Sequence, residues 1–131
     1  MNNAHVSLAV FDFGDNLSVV TDVIGISPTE GWIKGDAMPN HPTAKRNHSR
    51  WVLASPLPKT ESVENHVLAL VLVLEQRREE LGELVRRYSC EIQCALYCEG
   101  ATAGVQLSPE LIGRVARLGL GIDFDLYYIA E

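Results

Sequence analysis

The sequence predicts an α+β domain in which an antiparallel or mixed sheet carries helices packed on one face. Segments with alternating apolar and polar residues, typical of half-buried strands, are interspersed with segments whose apolar residues recur every three or four positions, typical of amphipathic helices. The links between several strands are short, which favours antiparallel pairing. With 131 residues, of which 47% are hydrophobic, the chain is expected to form a single domain over residues 1–131.

The first half of the chain is predicted to contain three strands and one helix. The strands are expected at residues 5–13, 31–36 and 49–55. Asp15 is the expected N-cap of the helix, and Gly25 is its expected end. The segment Ala37–Asn47 is predicted to be the longest loop, because it contains two prolines and little periodicity.

The second half is predicted to contain helices and two more strands. Thr60 or Ser62 is the expected cap of a long helix that bends near Arg77. Ser108 and Pro109 are the expected N-cap and first residue of another helix. Its predicted buried stripe is Leu111, Ile112, Val115 and Leu118. The predicted strands are residues 90–99 and 121–129. The element order is therefore β-α-β-β-α-(α)-β-α-β, and its first six elements are typical of a ferredoxin-like βαββαβ unit.

The net charge limits the classes of partner that the chain is expected to bind. The sequence contains eleven Lys and Arg residues and seventeen Asp and Glu residues, which gives a net charge of -6. A phosphate surface repels such a protein, so neither nucleic acid nor an anionic membrane is an expected partner. The longest apolar run, Val67–Leu74, is too short to span a bilayer, and no signal-peptide pattern is visible. We therefore expect a cytoplasmic protein that binds a basic protein or a second copy of itself.

Motifs of common enzyme classes are absent from the sequence. It contains no phosphate-binding P-loop, no H-E-x-x-H zinc helix, no G-x-S-x-G elbow and no C-x-x-C pair. On a strand, a spacing of four residues separates successive positions by roughly 13 Å. Neighbouring members of the set Cys90, Cys94 and Cys98 would therefore be too far apart to share a zinc ion or a disulfide. They are interpreted as core residues. We expect no enzyme, no catalytic residue, no metal site and no cofactor.

The last strand contains two carboxylates in an otherwise aromatic and aliphatic segment. Asp123, Asp125 and Tyr127 alternate with four residues that are predicted to face the core: Ile122, Phe124, Leu126 and Tyr128. Carboxylates roughly 7 Å apart on one strand face can bind a cation, share a proton or contact a basic partner. The alternative interpretation is solvated charge on an exposed sheet face.

A basic segment lies between the only two tryptophans. Four cations and one acid give it a local charge of +3: Lys34, Lys45, Arg46 and Arg50 against Asp36. With Trp32 and Trp51 beside it, the segment is either an anion-binding or partner-binding loop or a solvated loop whose tryptophans belong to the core. The role of residues 37–50 stays open at this point. His66 is expected to be packed or hydrogen-bonded.

An ordered set of residues along the chain resembles a known family. The set comprises Ile26-Ser27-Pro28-Thr29, Trp32, Lys34-Gly35-Asp36, Arg50-Trp51, His66, Asp123, Asp125 and Tyr127. Over nearly the whole chain it resembles DUF4279, a bacterial family of domains of unknown function. The resemblance implies a small bacterial cytoplasmic domain without an established activity. It also implies that Gly35-Asp36, Trp51 and the last strand act together, with Asp36 and Trp32 closing over the sheet.

Three functions are compatible with these features. The leading hypothesis is an immunity-type protein that neutralises a basic, toxin-like protein by covering its active site. The second is a structural or regulatory interaction domain that forms a homodimer. The third is a small enzyme or ligand-binding domain that uses Asp36, His66, Asp123 and Asp125 around a metal or a cationic substrate. The candidate binding residues are Trp32, Lys34, Asp36, Arg50, Trp51, His66, Asp123, Asp125 and Tyr127.

Overall fold

The part of the chain that the structure describes forms seven strands and four helices. The computed structural model describes residues 2–100 and 104–129, except the side chain of Pro42. The elements in chain order are β1 (Asn3–Phe11), α1 (Ser18–Ile24), β2 (Glu30–Trp32), β3 (Ala37–Met38), β4 (His41–Lys45), β5 (Arg50–Ala54), α2 (Val63–Glu75), α3 (Arg78–Arg87), β6 (Ser89–Glu99), α4 (Pro109–Arg117) and β7 (Gly121–Ile129).

Five of the strands form one mixed sheet in the order β2-β5-β1-β6-β7. All neighbouring strands are antiparallel except β6 and β7, which are parallel and joined through α4. The predicted α+β class is therefore confirmed. Because β5 lies between β1 and β2, the first four strands of this sheet have the split arrangement of a ferredoxin-like unit. Strand β7 is added at one edge of that unit.

The core lies between the helices and one face of the sheet. Val6, Leu8 and Val10 of β1 are buried and belong to the same cluster as the apolar residues of all four helices. The buried residues of α2 are Val63, His66, Val67, Leu70, Val71 and Leu74, which recur at helical spacing as predicted. The opposite face of the sheet carries no helix in the described part of the chain.

Local sequence determines where the longer helices begin and end. The side-chain oxygen of Ser62 accepts a hydrogen bond from the backbone N–H of Asn65 at 3.1 Å, and Ser108 caps α4 in the same way. The predicted bend near Arg77 is a break, because α2 ends at Glu75 and α3 begins two residues after Gln76. A hydrogen-bonded ion pair between Arg114 and Glu75 ties α4 to α2.

Two predictions about the first half were wrong. Asp15 does not cap α1; instead the side chain of Asn16 accepts a hydrogen bond from the backbone N–H of Ser18 at 3.0 Å. The predicted loop Ala37–Asn47 contains the small hairpin of β3 and β4. Its turn passes through Asn40 with φ of 65°, a left-handed conformation that asparagine tolerates. Such a short pairing leaves no period-2 pattern long enough to recognise.

Some residues that were predicted to be buried are exposed. Ile112 on α4 is 51% exposed. On β7, three residues that point to the helix-facing side of the sheet are exposed as well: Phe124, Leu126 and Tyr128. Strand β7 is at the edge of the sheet, and α4 packs against α2 rather than over the whole length of β7. The prediction that these residues face the helices was correct, because Phe124 pairs with the buried Cys94 of β6. Within residues 2–100 and 104–129, however, no helix covers this part of the face.

Two glycines should respond in opposite ways to alanine. Gly25 ends α1 with φ of +74°, and a Cβ there would lie 2.8 Å from a guanidinium nitrogen of Arg77. Gly82 lies within α3, where a Cβ would meet only Arg86 at 3.5 Å. We expect Gly25→Ala to lower the free energy of unfolding by about 1 kcal/mol and Gly82→Ala to raise it by about 0.5–1 kcal/mol. Urea denaturation measures both changes. If both variants changed the free energy of unfolding by the same amount in the same direction, the different roles assigned to Gly25 and Gly82 would be wrong.

Candidate functional site

The sheet face that points away from the helices brings several of the predicted site residues onto one surface. We call it the open face. It contains Trp32 and Glu30 from β2, Arg50 and Val52 from β5, His5, Ser7, Ala9 and Phe11 from β1, Glu91, Gln93 and Tyr97 from β6, and Asp123, Asp125 and Tyr127 from β7. Arg46 and Arg50 lie near the β2 edge of this face together with Glu30, and Asp123 and Asp125 lie on β7. The two arginines are therefore at one end of the face, but carboxylates are present at both ends.

Arginine and aromatic side chains occupy the β2 end of the open face. The guanidinium carbon of Arg46 lies 3.8 Å from the centre of the Trp32 ring. That of Arg50 lies 5.5 Å from the Trp32 ring and 5.5 Å from the Phe11 ring. Burial lowers the pKa of Arg50, while nearby carboxylates, chiefly Glu30 and Glu91, oppose that change. The contacts with the Trp32 and Phe11 rings hold the two guanidinium groups side by side on one surface.

Carboxylates are concentrated on the β7 end of the open face. Gln93 pairs with Asp123 in the sheet and Ala95 pairs with Asp125, so both acids point outward beside β6. Asp125 raises the pKa of Asp123 through like-charge repulsion, and partial desolvation and Glu91 raise it further. The predicted placement of the two acids on one face is correct, and the structure adds a third carboxylate to their surroundings.

An aromatic cluster extends the acidic end of the open face. Tyr127 stacks on Tyr97 of β6 with ring centres 5.0 Å apart and an interplanar angle of 15°. His5 contacts Tyr97 edge-on with ring centres 5.4 Å apart. Tyr127 remains 48% exposed. Mutual stacking restricts these side chains, which reduces the entropy they would lose on binding a partner.

Trp51, another predicted binding residue, belongs to the core. It points toward the helices, is completely buried and donates a hydrogen bond from Nε1 to Oγ1 of Thr21 at 3.0 Å. The neighbouring Arg50 has the opposite parity and lies on the open face. Trp51 therefore packs in the core on the helix-facing side of the sheet and is not available to a ligand on the open face.

Lys34 and Asp36 lie in the turn that follows β2. One carboxylate oxygen of Asp36 accepts a hydrogen bond from the backbone N–H of Ile33 at 2.9 Å, and the backbone N–H of Lys34 donates to Oγ of Ser49 at 3.0 Å. The carboxylate of Asp36 is engaged in holding its own turn. The family-based expectation that Asp36 closes over the sheet with Trp32 is therefore wrong, because the group over Trp32 is the Arg46 guanidinium.

His66 is buried on α2, as expected for a packed histidine. Its Nδ1 lies 2.6 Å from Oγ of Ser55, and only 2% of its surface is exposed. Burial lowers the pKa of His66, and the nearby Pro58 carbonyl and Glu61 oppose that effect. His66 also borders a cavity of about 350 Å³ that includes His5, Ser7 and Glu30. Burial therefore favours the neutral form of the ring, and Ser55 is the hydrogen-bond partner of Nδ1.

The burial of His66 makes stability depend on pH. In the unfolded chain a histidine takes up a proton near pH 6.5, whereas His66 in the folded chain takes it up at a lower pH. The unfolded state therefore binds more protons as pH falls below 6.5, and the free energy of unfolding must decrease. We expect His66→Gln to reduce this pH dependence and the exposed-loop variant His48→Gln to leave it in place. Denaturation midpoints between pH 7.5 and 5 measure the effect; identical pH profiles for the wild type and His66→Gln would contradict it.

The four residues of the metal or ligand-binding hypothesis do not converge. Asp36 follows β2, whereas Asp123 and Asp125 are on β7, and these strands are opposite edges of the sheet, roughly 19 Å apart at four strand spacings. His66 is on the helical side. Within residues 2–100 and 104–129, no group of three or more His, Cys, Asp or Glu side chains is arranged to hold a metal ion.

The three cysteines are free, and they line the helix-facing side of β6. Cys94 and Cys98 are buried, and Cys90 is half-buried. Burial raises the pKa of Cys90 to about 11 and, together with the negative charge of Asp123, that of Cys94 to about 12. The raised pKa values of Cys90 and Cys94 favour the protonated thiol at neutral pH, and the burial of Cys94 and Cys98 agrees with their interpretation as core residues.

Several residues on or beside the open face were not among the predicted binding residues, and Arg46, Phe11, Glu91 and Tyr97 are examples. Arg46 was counted only as part of the basic segment, and Phe11, Glu91 and Tyr97 were not singled out. Period-2 alternation in β6 is a signal for the last two, since Glu91 and Tyr97 have the parity opposite to the buried Ile92. For Arg46 the sequence carries no such signal, because its position depends on the hairpin that precedes it.

Comparison with known proteins identifies the family. No helix in the described part of the chain is long and apolar enough to cross a membrane. No curated protein and no solved structure matches the chain. The model of the family described as "Domain of unknown function (DUF4279)" matches residues 2–129, which is nearly the whole chain. The resemblance inferred from the ordered residues is thereby confirmed, and the chain belongs to the DUF4279 family.

Proposed function

We propose that the chain is a cytoplasmic protein-binding module of the immunity type, which neutralises a basic, toxin-like protein by covering its active site. The observation that supports this proposal most strongly is strand β7. It is an exposed edge strand with two carboxylates and a stacked tyrosine on one face and uncovered apolar residues on the other. The proposed docking surface is β7 together with the acidic half of the open face.

The edge of β7 offers backbone groups for pairing. A sheet edge presents N–H and C=O groups at every second residue, and natural proteins usually protect long edges with lysine, proline or a bulge. Strand β7 is nine residues long and contains neither lysine nor proline. Its register with β6 is regular from Gly121 to Ile129. Such an edge suits the addition of a strand from a partner.

The charge on β7 favours a basic partner. Like-charge repulsion between Asp123 and Asp125 is present in the free protein, as the raised pKa of Asp123 indicates. Lys or Arg side chains on a docked surface would relieve that repulsion, and the net charge of -6 would speed the approach of a basic protein. The partner that fits this surface therefore has basic side chains opposite Asp123 and Asp125.

The same charges oppose self-association through β7. If two copies paired antiparallel about a two-fold axis near Asp125, the carboxylates of the two chains would face each other. The uncovered Phe124, Leu126 and Tyr128 would favour such a contact, but the acids on the opposite face would not. The proposal therefore expects a monomer, and sedimentation equilibrium over a hundredfold concentration range distinguishes it from a homodimer.

Differential capture from the source cell tests the proposal. Three baits are compared: the wild type, Asp123→Asn with Asp125→Asn, and a control with Asp15→Asn and Asp22→Asn. Both double variants change the charge by the same amount, but Asp15 and Asp22 are exposed residues near α1, away from β7. We expect a basic protein that is enriched by the wild type and the control and lost with the β7 variant.

The captured protein must also behave as a toxin. Expressed alone it should arrest growth, and co-expression with this chain should restore growth. If the wild-type bait enriches nothing above the empty resin, or if the β7 variant captures the same proteins, the proposed docking surface is wrong. If the captured partner is harmless when expressed alone, the chain is still a binding module, but it is not an immunity protein.

A further inference from the structure

The β2 end of the open face contains two arginines whose donors are unused. Nε of Arg46 and Nε of Arg50 are both buried, and neither has a hydrogen-bond partner within the described residues. The ion pairs found in that part of the chain involve Glu75 and Glu83 and not these two arginines. Buried, unpaired donors are rare in folded proteins because each one loses its hydrogen bonds to water.

The two guanidinium groups are held in place by stacking rather than by acceptors. Both lie against the Trp32 ring, and Arg50 also lies against Phe11. Stacking on an aromatic ring engages the face of the guanidinium and leaves its N–H edge available for a planar, two-oxygen acceptor. The pair is therefore preorganised before any ligand binds.

Nearby carboxylates do not fill this role. Glu30 and Glu91 lie in the adjacent row of the open face, where Glu30 pairs with Val52 and Glu91 pairs with Ala9. Their charges act on Arg50, but neither carboxylate forms an ion pair with it. One oxygen of Glu91 accepts a hydrogen bond from the amide of Gln93 at 2.9 Å instead. Repulsion between Arg46 and Arg50 therefore persists alongside their burial.

We infer that Arg46, Arg50 and Trp32 form a binding site for an oxyanion, a phosphate or a carboxylate group that accepts hydrogen bonds from both guanidinium edges. An anion there would accept hydrogen bonds from the terminal guanidinium nitrogens, which, unlike the two Nε atoms, are not buried without a partner, and it would reduce the repulsion between the two cations. The arginines lie on and beside β5 and the two acids lie on β7, although the charge of Asp125 also acts on Arg50. The inference rests on the contacts of Arg46 and Arg50 and not on the proposed docking of a basic partner to β7.

Arginine side-chain resonances test this inference directly. The Nε–Hε signals of the ¹⁵N-labelled protein are followed while sodium phosphate, sodium acetate or sodium chloride is added at constant pH. We expect saturable shifts of the Arg46 and Arg50 signals with phosphate or acetate and not with chloride. Saturation by phosphate alone would assign a phosphate-type ligand, and saturation by acetate alone would assign a carboxylate.

Conservative variants separate a specific site from general charge. Arg50→Lys keeps the charge but loses the planar fork, and it should raise the dissociation constant about tenfold, the loss expected for one charge-assisted hydrogen bond. Arg86→Lys on the exposed surface of α3 is the matched control and should change nothing. Shifts of Arg46 and Arg50 that grow linearly with salt, or that match those of Arg86, would overturn the inference.

Discussion

Replacing Trp51 with alanine should lower the free energy of unfolding by about 3–5 kcal/mol, the usual cost of removing a buried aromatic side chain. Trp51 is completely buried, and its indole N–H donates to Thr21, so the variant would leave a cavity and an unpaired hydroxyl group. Domains of this size are typically stable by about 5–15 kcal/mol, so the loss would take away a large part of the total. Urea denaturation followed by circular dichroism measures it.

The second tryptophan provides the control for the first. Trp32 is half-buried on the edge strand β2, and its main contact is the Arg46 guanidinium. Trp32→Ala should therefore cost no more than about 1 kcal/mol, the range of an exposed cation–π contact. Trp51→Phe, which keeps a ring but lacks the N–H, should fall between the two alanine variants. If Trp32→Ala proved as destabilising as Trp51→Ala, the assignment of Trp51 to the core and Trp32 to the surface would be wrong.

Exchanging Asp123 and Asp125 together for asparagine should weaken binding to the basic partner about tenfold and flatten the dependence of affinity on salt. Charges on an exposed surface mainly accelerate association, and added salt screens them. Without the two carboxylates, the variant should associate more slowly. Its affinity should also depend less on salt, because a smaller electrostatic attraction remains to be screened. Surface plasmon resonance at several sodium chloride concentrations measures both the association rate and its salt dependence.

A charge-matched variant shows whether position matters. Asp15→Asn with Asp22→Asn changes the net charge equally but leaves β7 intact. It should retain most of the affinity and a steeper salt dependence than the β7 variant. If both double variants weakened binding to the same extent, overall charge rather than the β7 surface would determine recognition.

The elements that depend on neighbours in sequence were predictable. Ser62 and Ser108 cap their helices through a backbone N–H three residues away, and Gly25 ends α1 within a single turn. The hairpin of β3 and β4 and the exposure of Ile112 were not predictable in this way. Both depend on where distant segments pack, and α4 turns toward Glu75 of α2 instead of covering β7.

The candidate site was predictable along each strand but not between strands. Alternation in β7 correctly placed Asp123, Asp125 and Tyr127 on one face, because side-chain parity is a local property. Their neighbours Glu91 and Tyr97 follow from the register of β6 with β7, which the fold determines. Whether Trp32 and Trp51 contact a partner or belong to the core stayed open for the same reason, since it depends on which face of the sheet the helices cover.

Hydrogen exchange on the chain with and without its captured partner locates the docking surface segment by segment. Backbone amides in β7, residues 121–129, should exchange more slowly when the partner is bound, since the outward-facing N–H groups of this edge become paired. Exchange in α1 and α3, on the other side of the sheet, should change little. Protection confined to the helices, with β7 unchanged, would show that the partner does not dock on β7.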